Sequence, residues 1–218
     1  MPVNAHPLGI SRIRVVYAKR DALRFTGHLD LQRLWERLLR RSKLPLRYTQ
    51  GYHPRARLNL ASALPLGFIS DEELLDFWMD EWLPLPEIQQ RLTAVAPPGL
   101  EIYSVQQVDM GENALQVQMK ASEFVVSFYD PQDILELNHQ VEQLLNQTTI
   151  TITRRKKTYN LRPLILDLET ATAPDDAAIL RMRLKAEAGA TGRPDDLLET
   201  LGYPNTAYLV RRTQLLLN

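Results

Sequence analysis

Apolar residues along the chain follow two periods that change over in a repeated order. Ile13, Val15 and Tyr17 alternate with Arg14, Val16 and Ala18 in RIRVVYA, a two-residue period that predicts a strand. From Leu29 the period lengthens. Leu31, Leu34, Trp35, Leu38 and Leu39 recur at three and four positions and predict an amphipathic helix of about three to four turns. Its other face carries Arg33, Arg37, Arg40 and Arg41. Thr26 or His28 is placed to cap its start, Asp30 lies in the first turn where the helix dipole favours a carboxylate, and Pro45 ends it. Extended pieces are expected near Leu46 to Thr49 and Arg57 to Ala61, on either side of a turn marked by Gly51 and Pro54. Leu74 to Trp82 reads as a strand with Asp76 and Asp80 pointing one way. Pro86 then opens a helix closed by Pro97, Pro98 and Gly99, and Leu100 to Val105 is a further strand.

The same order returns after a polar linker at Asp109 to Asn113. Ala114 to Tyr129 is strand-like, and Asp130 with Pro131 supplies an N-cap and first-turn proline for a helix facing inward through Ile134, Leu137, Val141, Leu144 and Leu145. Thr148 to Arg155, Leu161 to Thr170 and Ala178 to Ala186 are extended, with a basic tip at Arg154 to Lys157. Arg193 to Asp196 opens a short helix that Gly202 ends, and Ala207 to Leu217 closes as a strand. Both halves read β-α-β-β-α-β. The expected class is α+β, with two tandem ferredoxin-like domains at residues 12–108 and 114–218 related by internal duplication.

Composition changes this picture in three places. The 218 residues contain no cysteine, so the chain itself offers no thiolate for an iron–sulfur cluster, a Cys-rich zinc site or a cysteine nucleophile. No apolar run reaches bilayer length, and the first ten residues lack the pattern of a signal peptide, which makes the cytoplasm the expected location. The net charge of zero conceals an asymmetry. Residues 1–60 hold thirteen Lys and Arg against three acids, and residues 71–112 hold ten acids against Arg91 alone. Such segments either present a basic face to phosphates or pair with each other inside the fold, and both readings stay open here.

The chemistry-bearing groups concentrate between Arg47 and Gly67. Arg47, Arg55 and Arg57 join Tyr48, Tyr52 and His53 on a bend, adjacent in sequence to the helix arginines Arg40 and Arg41. Arginines suit phosphates and tyrosines stack on unpaired bases, so these residues, with Arg162 in the second half, are the candidate nucleic-acid contacts. The aromatic and glycine signature of the commonest RNA-binding module is absent. His53, His28 and Asp30 are the candidates for proton transfer, although His28 and Asp30 are as readily explained as groups at a helix start. No complete catalytic motif is present: no GxSxG elbow, no GxxxxGK[ST] and no GxGxxG. His28, His53, Asp30 and Asp76 lack a ligand spacing, so no metal or cofactor site is assigned in this chain.

Three segments carry a resemblance to a known family: RFTGHLDLQRLWERLLRR at Arg24 to Arg41, YTQGYHPRARLNLASALPLG at Tyr48 to Gly67, and NLRPL at Asn160 to Leu164. They resemble the radical-SAM-linked protein family, small proteins fused to the C-terminus of a radical-SAM protein or encoded beside one. The resemblance spans about Arg12 to Leu217. It implies a partner that carries an iron–sulfur cluster and S-adenosylmethionine. His28, Asp30, Arg33, Gly51, Tyr52, His53, Pro54, Pro65, Gly67, Arg162 and Pro163 match its motifs, and no role for any of them comes with the match. The resulting expectation is a non-catalytic accessory protein that binds RNA or an RNA-associated substrate for a radical-SAM modification enzyme. Two alternatives stand beside it: a metal-independent ribonuclease using His53 and His28, and a protein-docking adaptor without nucleic acid that uses the acidic block at Asp71 to Glu112.

Overall fold

The computed structural model describes residues 9–154, 156–204 and 206–218. Its class is α+β, with a mixed sheet and several helices, and the chain divides into two compact units. The first comprises the described residues through Leu66 together with Asp71–Val117. The second comprises Gly67–Ser70 and Gln118–Asn218. Among the described residues no helix is long and apolar enough to cross a membrane.

The first unit runs β1 (Ser11–Lys19), α1 (His28–Arg41), β2 (Leu58–Leu60), β3 (Ile69–Met79), α2 (Leu85–Thr93) and β4 (Leu100–Val108), followed by the short helix α3 (Leu115–Gln118). Its strands lie in the order β4-β1-β3-β2, with β1 antiparallel to β4 and β2 antiparallel to β3. The alternation in β1 sends Ile13, Val15 and Tyr17 into the core beneath α1 and α2. There they meet Leu31, Trp35, Leu38, Leu39, Ile88 and Leu92 together with Leu75, Phe77 and Met79 of β3. Tyr17 and Trp35 pack edge to face with ring centres 4.8 Å apart.

The second unit runs β5 (Met119–Phe128), α4 (Ile134–Leu145), β6 (Thr151–Arg154), β7 (Lys157–Asn160), β8 (Ile165–Thr172), β9 (Ala178–Glu187), β10 (Ala190–Thr191), α5 (Pro194–Thr200) and β11 (Tyr208–Leu217). Four of these form antiparallel neighbours in the order β8-β9-β5-β11, and β10 adds to the other part of β9. β6 and β7 make a separate hairpin. Gly67–Ser70 groups with this unit because Ile69 and Ser70 pair in parallel with Arg211 and Arg212, which makes the sheet mixed.

Several local expectations are corrected. Leu46 to Thr49 is not a strand but two isolated bridges, Leu46 to Met79 and Tyr48 to Ala56, because the segment changes partner partway, bonding to Trp78 at Arg47 and to Arg55 at Thr49. The strand expected from Leu74 starts five residues earlier, at Ile69, and ends at Met79, leaving Asp80 outside it. Residues 115–118 are helical where a strand was expected, and this turn aims Gln116 at Asn59 and Leu60. The helix after β5 is capped by Asp133, not Asp130: its Oδ1 accepts from the N–H groups of Leu135 and Glu136 at 2.8 and 3.2 Å. At α1 the cap is Gly27, with no side-chain bond from Thr26 or His28. Arg155 of the expected basic tip lies outside the described residues.

Candidate nucleic-acid interface

Helix α1 forms where its sequence pattern requires, and its exposed side presents Arg33, Arg37, Arg40 and Arg41. Its surface is broken by Glu36, which is buried and reached by Arg55 Nη1 at 3.9 Å. That contact ties the loop at Gln50 to Pro54 to the helix one turn before Arg40. The loop is closed by Thr49 N–H to Arg55 O and Arg57 N–H to Arg47 O, each 2.8 Å, and by Arg55 N–H donating to Thr49 Oγ1 at 3.1 Å. Gly51, with φ +131°, takes a conformation that favours glycine. Tyr52 at the tip is 101% exposed, and Tyr48 and His53 are also exposed.

The other arginines of this region are already engaged. Arg47 bonds Asp80 at 2.9 Å, and Arg57 lies over the Trp78 ring at 4.4 Å. Arg162 belongs to the second unit, where its Nε donates to Leu145 O at 3.1 Å. Of the predicted phosphate contacts, Arg40 and Arg41 therefore have neither an ion-pair nor a stacking partner among the described residues, and Arg37 and Lys43 share that state. The candidate acid–base groups are not brought into one another's hydrogen-bonding reach. Asp30 pairs with Arg33 at 3.3 Å, His28 buries an Nδ1 with no partner at the start of the helix, and His53 sits on the exposed loop.

Part of the charge asymmetry in the sequence is met by internal pairs. Asp71 and Glu101 pair with Arg20 at 3.1 and 3.2 Å, Glu87 with Arg91, and Asp80 with Arg47. Asp76 is fully buried between two arginines. Arg12 Nε and Nη2 donate to its Oδ2 at 2.8 and 2.5 Å, and Arg14 Nε donates to its Oδ1 at 2.8 Å. Arg12 also donates to the carbonyls of Glu112 and Asn113, so the segment expected to be a linker is a cover over this charged face of the sheet. Asp76 is therefore unavailable as a metal ligand. Neither the buried cluster nor the cover was signalled by spacing, since the partners are 62 to 101 residues apart.

A second charged assembly lies in the second unit. Arg154 donates to Asp195 at 2.8 Å and Asp196 at 2.6 Å, and the Tyr159 hydroxyl bonds Asp196. Burial, then that bond, pushes the phenol well above the ordinary tyrosine range. Sequence reading took Arg193 to Asp196 only as a helix opening.

The chain matches the family described as "Uncharacterized protein conserved in bacteria (DUF2344)" over residues 12–194. No curated protein matches it. Among solved structures, it is similar to a chain described as "Crystal Structure of a Cbf5-Nop10-Gar1 Complex", with a TM-score of 0.48 and 8% identity. That alignment covers 92% of this chain and 48% of the other, so the chain spans less than half the length of the structure it matches. The chain belongs to the DUF2344 family.

Proposed function

We propose that the chain is a cytoplasmic, non-catalytic accessory protein, built of two ferredoxin-like halves, that binds RNA or an RNA-associated substrate for a radical-SAM enzyme. The cluster and S-adenosylmethionine belong to that partner. The fold component rests on the matching strand orders β4-β1-β3-β2 and β11-β5-β9-β8. The partner component rests on the three sequence segments that resemble radical-SAM-linked proteins. The observation that carries the binding component is the exposed Tyr52, on a loop joined to α1 by the Arg55–Glu36 contact, together with Arg37, Arg40 and Arg41 of that helix, which have no ion-pair partner among the described residues. A ring free to stack next to cations free to meet phosphate is the arrangement that single-stranded nucleic acid uses.

The test is binding of single-stranded RNA to the full chain over a range of salt. Replacing Arg40→Ala with Arg41→Ala should weaken binding and flatten the dependence of log K on log salt by about 1.4, at roughly 0.7 for each lost phosphate contact. Tyr52→Ala should weaken binding by about 1–3 kcal/mol without changing that slope. RNA binding and salt slope untouched by the arginine pair would overturn the reading. Purification from cells under gentle, low-salt conditions tests the other component: a radical-SAM protein should travel with the chain.

A further inference from the structure

The hairpin β6–β7 and the turn that carries β10 enclose a cleft of about 730 Å³ within the second unit. Its lining includes Arg154, Lys157, Tyr159, Asn160, Leu164 and Arg193. The volume falls within the range that small-molecule sites occupy, roughly 300–1,000 Å³.

The charges in this cleft do not cancel. Register places Arg154 directly opposite Lys157, a like-charge pair that costs stability unless something offsets it. Both nearby carboxylates, Asp195 and Asp196, are used by Arg154, and Asp196 is shared with the Tyr159 hydroxyl. Lys157 and Arg193 are left with no ion-pair partner among the described residues, and both line the same space. Two-residue periodicity puts Tyr159 on the same side of β7 as Lys157, so a ring stands beside the cation.

Asn160 adds a fixed donor. Its Oδ1 accepts from the N–H groups of Ile150 at 2.9 Å and Arg162 at 3.1 Å, which leaves its NH2 for a ligand oxygen. Close packing builds the wall behind it: a Cβ on Gly192 would come within 3.1 Å of Leu164 O and 3.2 Å of Leu184 Cβ. Leu164, Ala190 and the Tyr159 ring make the apolar part of the lining.

We infer that this cleft binds a phosphate-bearing small molecule of nucleotide size. Lys157 and Arg193 hold the phosphate, and the Tyr159 ring with Leu164 and Ala190 takes the flat apolar part, with Asn160 at the end of the strand as a further donor to the ligand. Arg154 is a positioning residue, since its guanidinium is committed to Asp195 and Asp196. The site is separate from the RNA reading, which uses residues of the first unit.

The test is titration calorimetry of the full chain with ADP and, separately, with inorganic pyrophosphate. ADP should bind more tightly than pyrophosphate, because only ADP reaches the apolar wall. Each cation removed, as Lys157→Gln or Arg193→Gln, should weaken ADP binding about tenfold, the value of one charge-assisted hydrogen bond. Both side chains are exposed, so thermal midpoints should not fall; if the double variant is unstable, the single variants carry the test. Arg40→Ala with Arg41→Ala should leave ADP binding intact, which separates failure here from failure of the RNA reading. No ADP binding at millimolar concentration, equal affinity for ADP and pyrophosphate, equal affinity in the variants, or single-stranded RNA binding through Lys157 and Arg193 without ADP binding would each overturn the proposal.

Discussion

In the first unit, β1 and β3 carry Arg12, Arg14 and Asp76 on the sheet face away from the helices, under the cover of Glu112 and Asn113. In the second unit, the strands that hold the same places in sheet order, β5 and β9, carry Glu123 and Arg183 on that face. The pair is bonded at 2.6 Å but remains open to solvent, with the arginine side chain 48% exposed. A neighbouring pair, Glu169 and Arg181, is more exposed still. The signs are also reversed, with the acid on the β3 side in one unit and on the β5 side in the other. One strand order thus supports two uses of cross-strand charge. Where a cover removes water, each guanidinium must find several acceptors, and Arg12 finds two carbonyls beyond its carboxylate. Where water remains, one acceptor oxygen is enough, and the strength of the pair is largely screened.

The largest expected effect follows from the covered face. Asp76→Ala would leave two buried guanidinium groups without their shared anion, and a buried pair broken on one side costs about 3–5 kcal/mol. Denaturant unfolding should show the midpoint falling by that equivalent. Replacing all three residues together, Arg12→Met, Arg14→Leu and Asp76→Leu, should recover most of the loss, because no lone charge is then buried. A triple variant as unstable as Asp76→Ala would mean that packing under the cover, not charge, sets the cost.

This contrast marks where the sequence was readable. The alternation in RIRVVYA gave strand β1 and the side that enters the core. It also implied that Arg12 and Arg14 face water, because period alone cannot tell whether a second face is covered. Helix α1 was legible from its apolar stripe, and Tyr52 and His53 fell on a loop because Gly51 and Pro54 forbid regular structure there. The turn at Leu115 and the cap at Asp133 were missed. Each depends on which backbone N–H or distant side chain is within reach, not on local propensity. The block count of charges raised the choice between a phosphate-binding face and internal pairing, and geometry shows pairing with the acidic block for Arg12, Arg14, Arg20 and Arg47. Arg37, Arg40, Arg41 and Lys43 remain without an ion-pair partner among the described residues.

The second unit buries charge at α5 instead. Asp196 accepts from Arg154 and from Tyr159, so Asp196→Ala should cost about 1.5–3 kcal/mol, the range for hydrogen bonds to a charged group. A loss below 1 kcal/mol would show that Asp195 replaces it. The same region gives a pH effect. Burial pushes the Tyr208 hydroxyl up to about 12, with Asp195 and Glu199 adding to the shift. The folded state thus favours the neutral phenol over an unfolded value near 10. Its contribution is complete below about pH 10 and is lost as pH rises from there toward 12, at about 1.4 kcal/mol per pH unit for one proton. Tyr208→Phe should remove one proton from the alkaline slope of unfolding free energy, and an unchanged slope would contradict the shift.

The smallest effect belongs to the open face and tests the contrast most directly. A double-mutant cycle on Glu123→Ala and Arg183→Ala should give a coupling of about 0.2–1 kcal/mol, because both partners keep water and pay side-chain entropy to meet. Raising salt to about 1 M, where the screening length is near 3 Å, should reduce that coupling further. The Asp76 cluster should respond little to the same salt, since Arg12, Arg14 and Asp76 are all buried. If the Glu123–Arg183 coupling instead exceeded 2 kcal/mol and resisted salt, this face of the second unit would have to be shielded in solution. Exposure read from the chain alone would then misdescribe it, and a partner seated over β5 and β9 would supply the cover that Glu112 and Asn113 supply in the first unit.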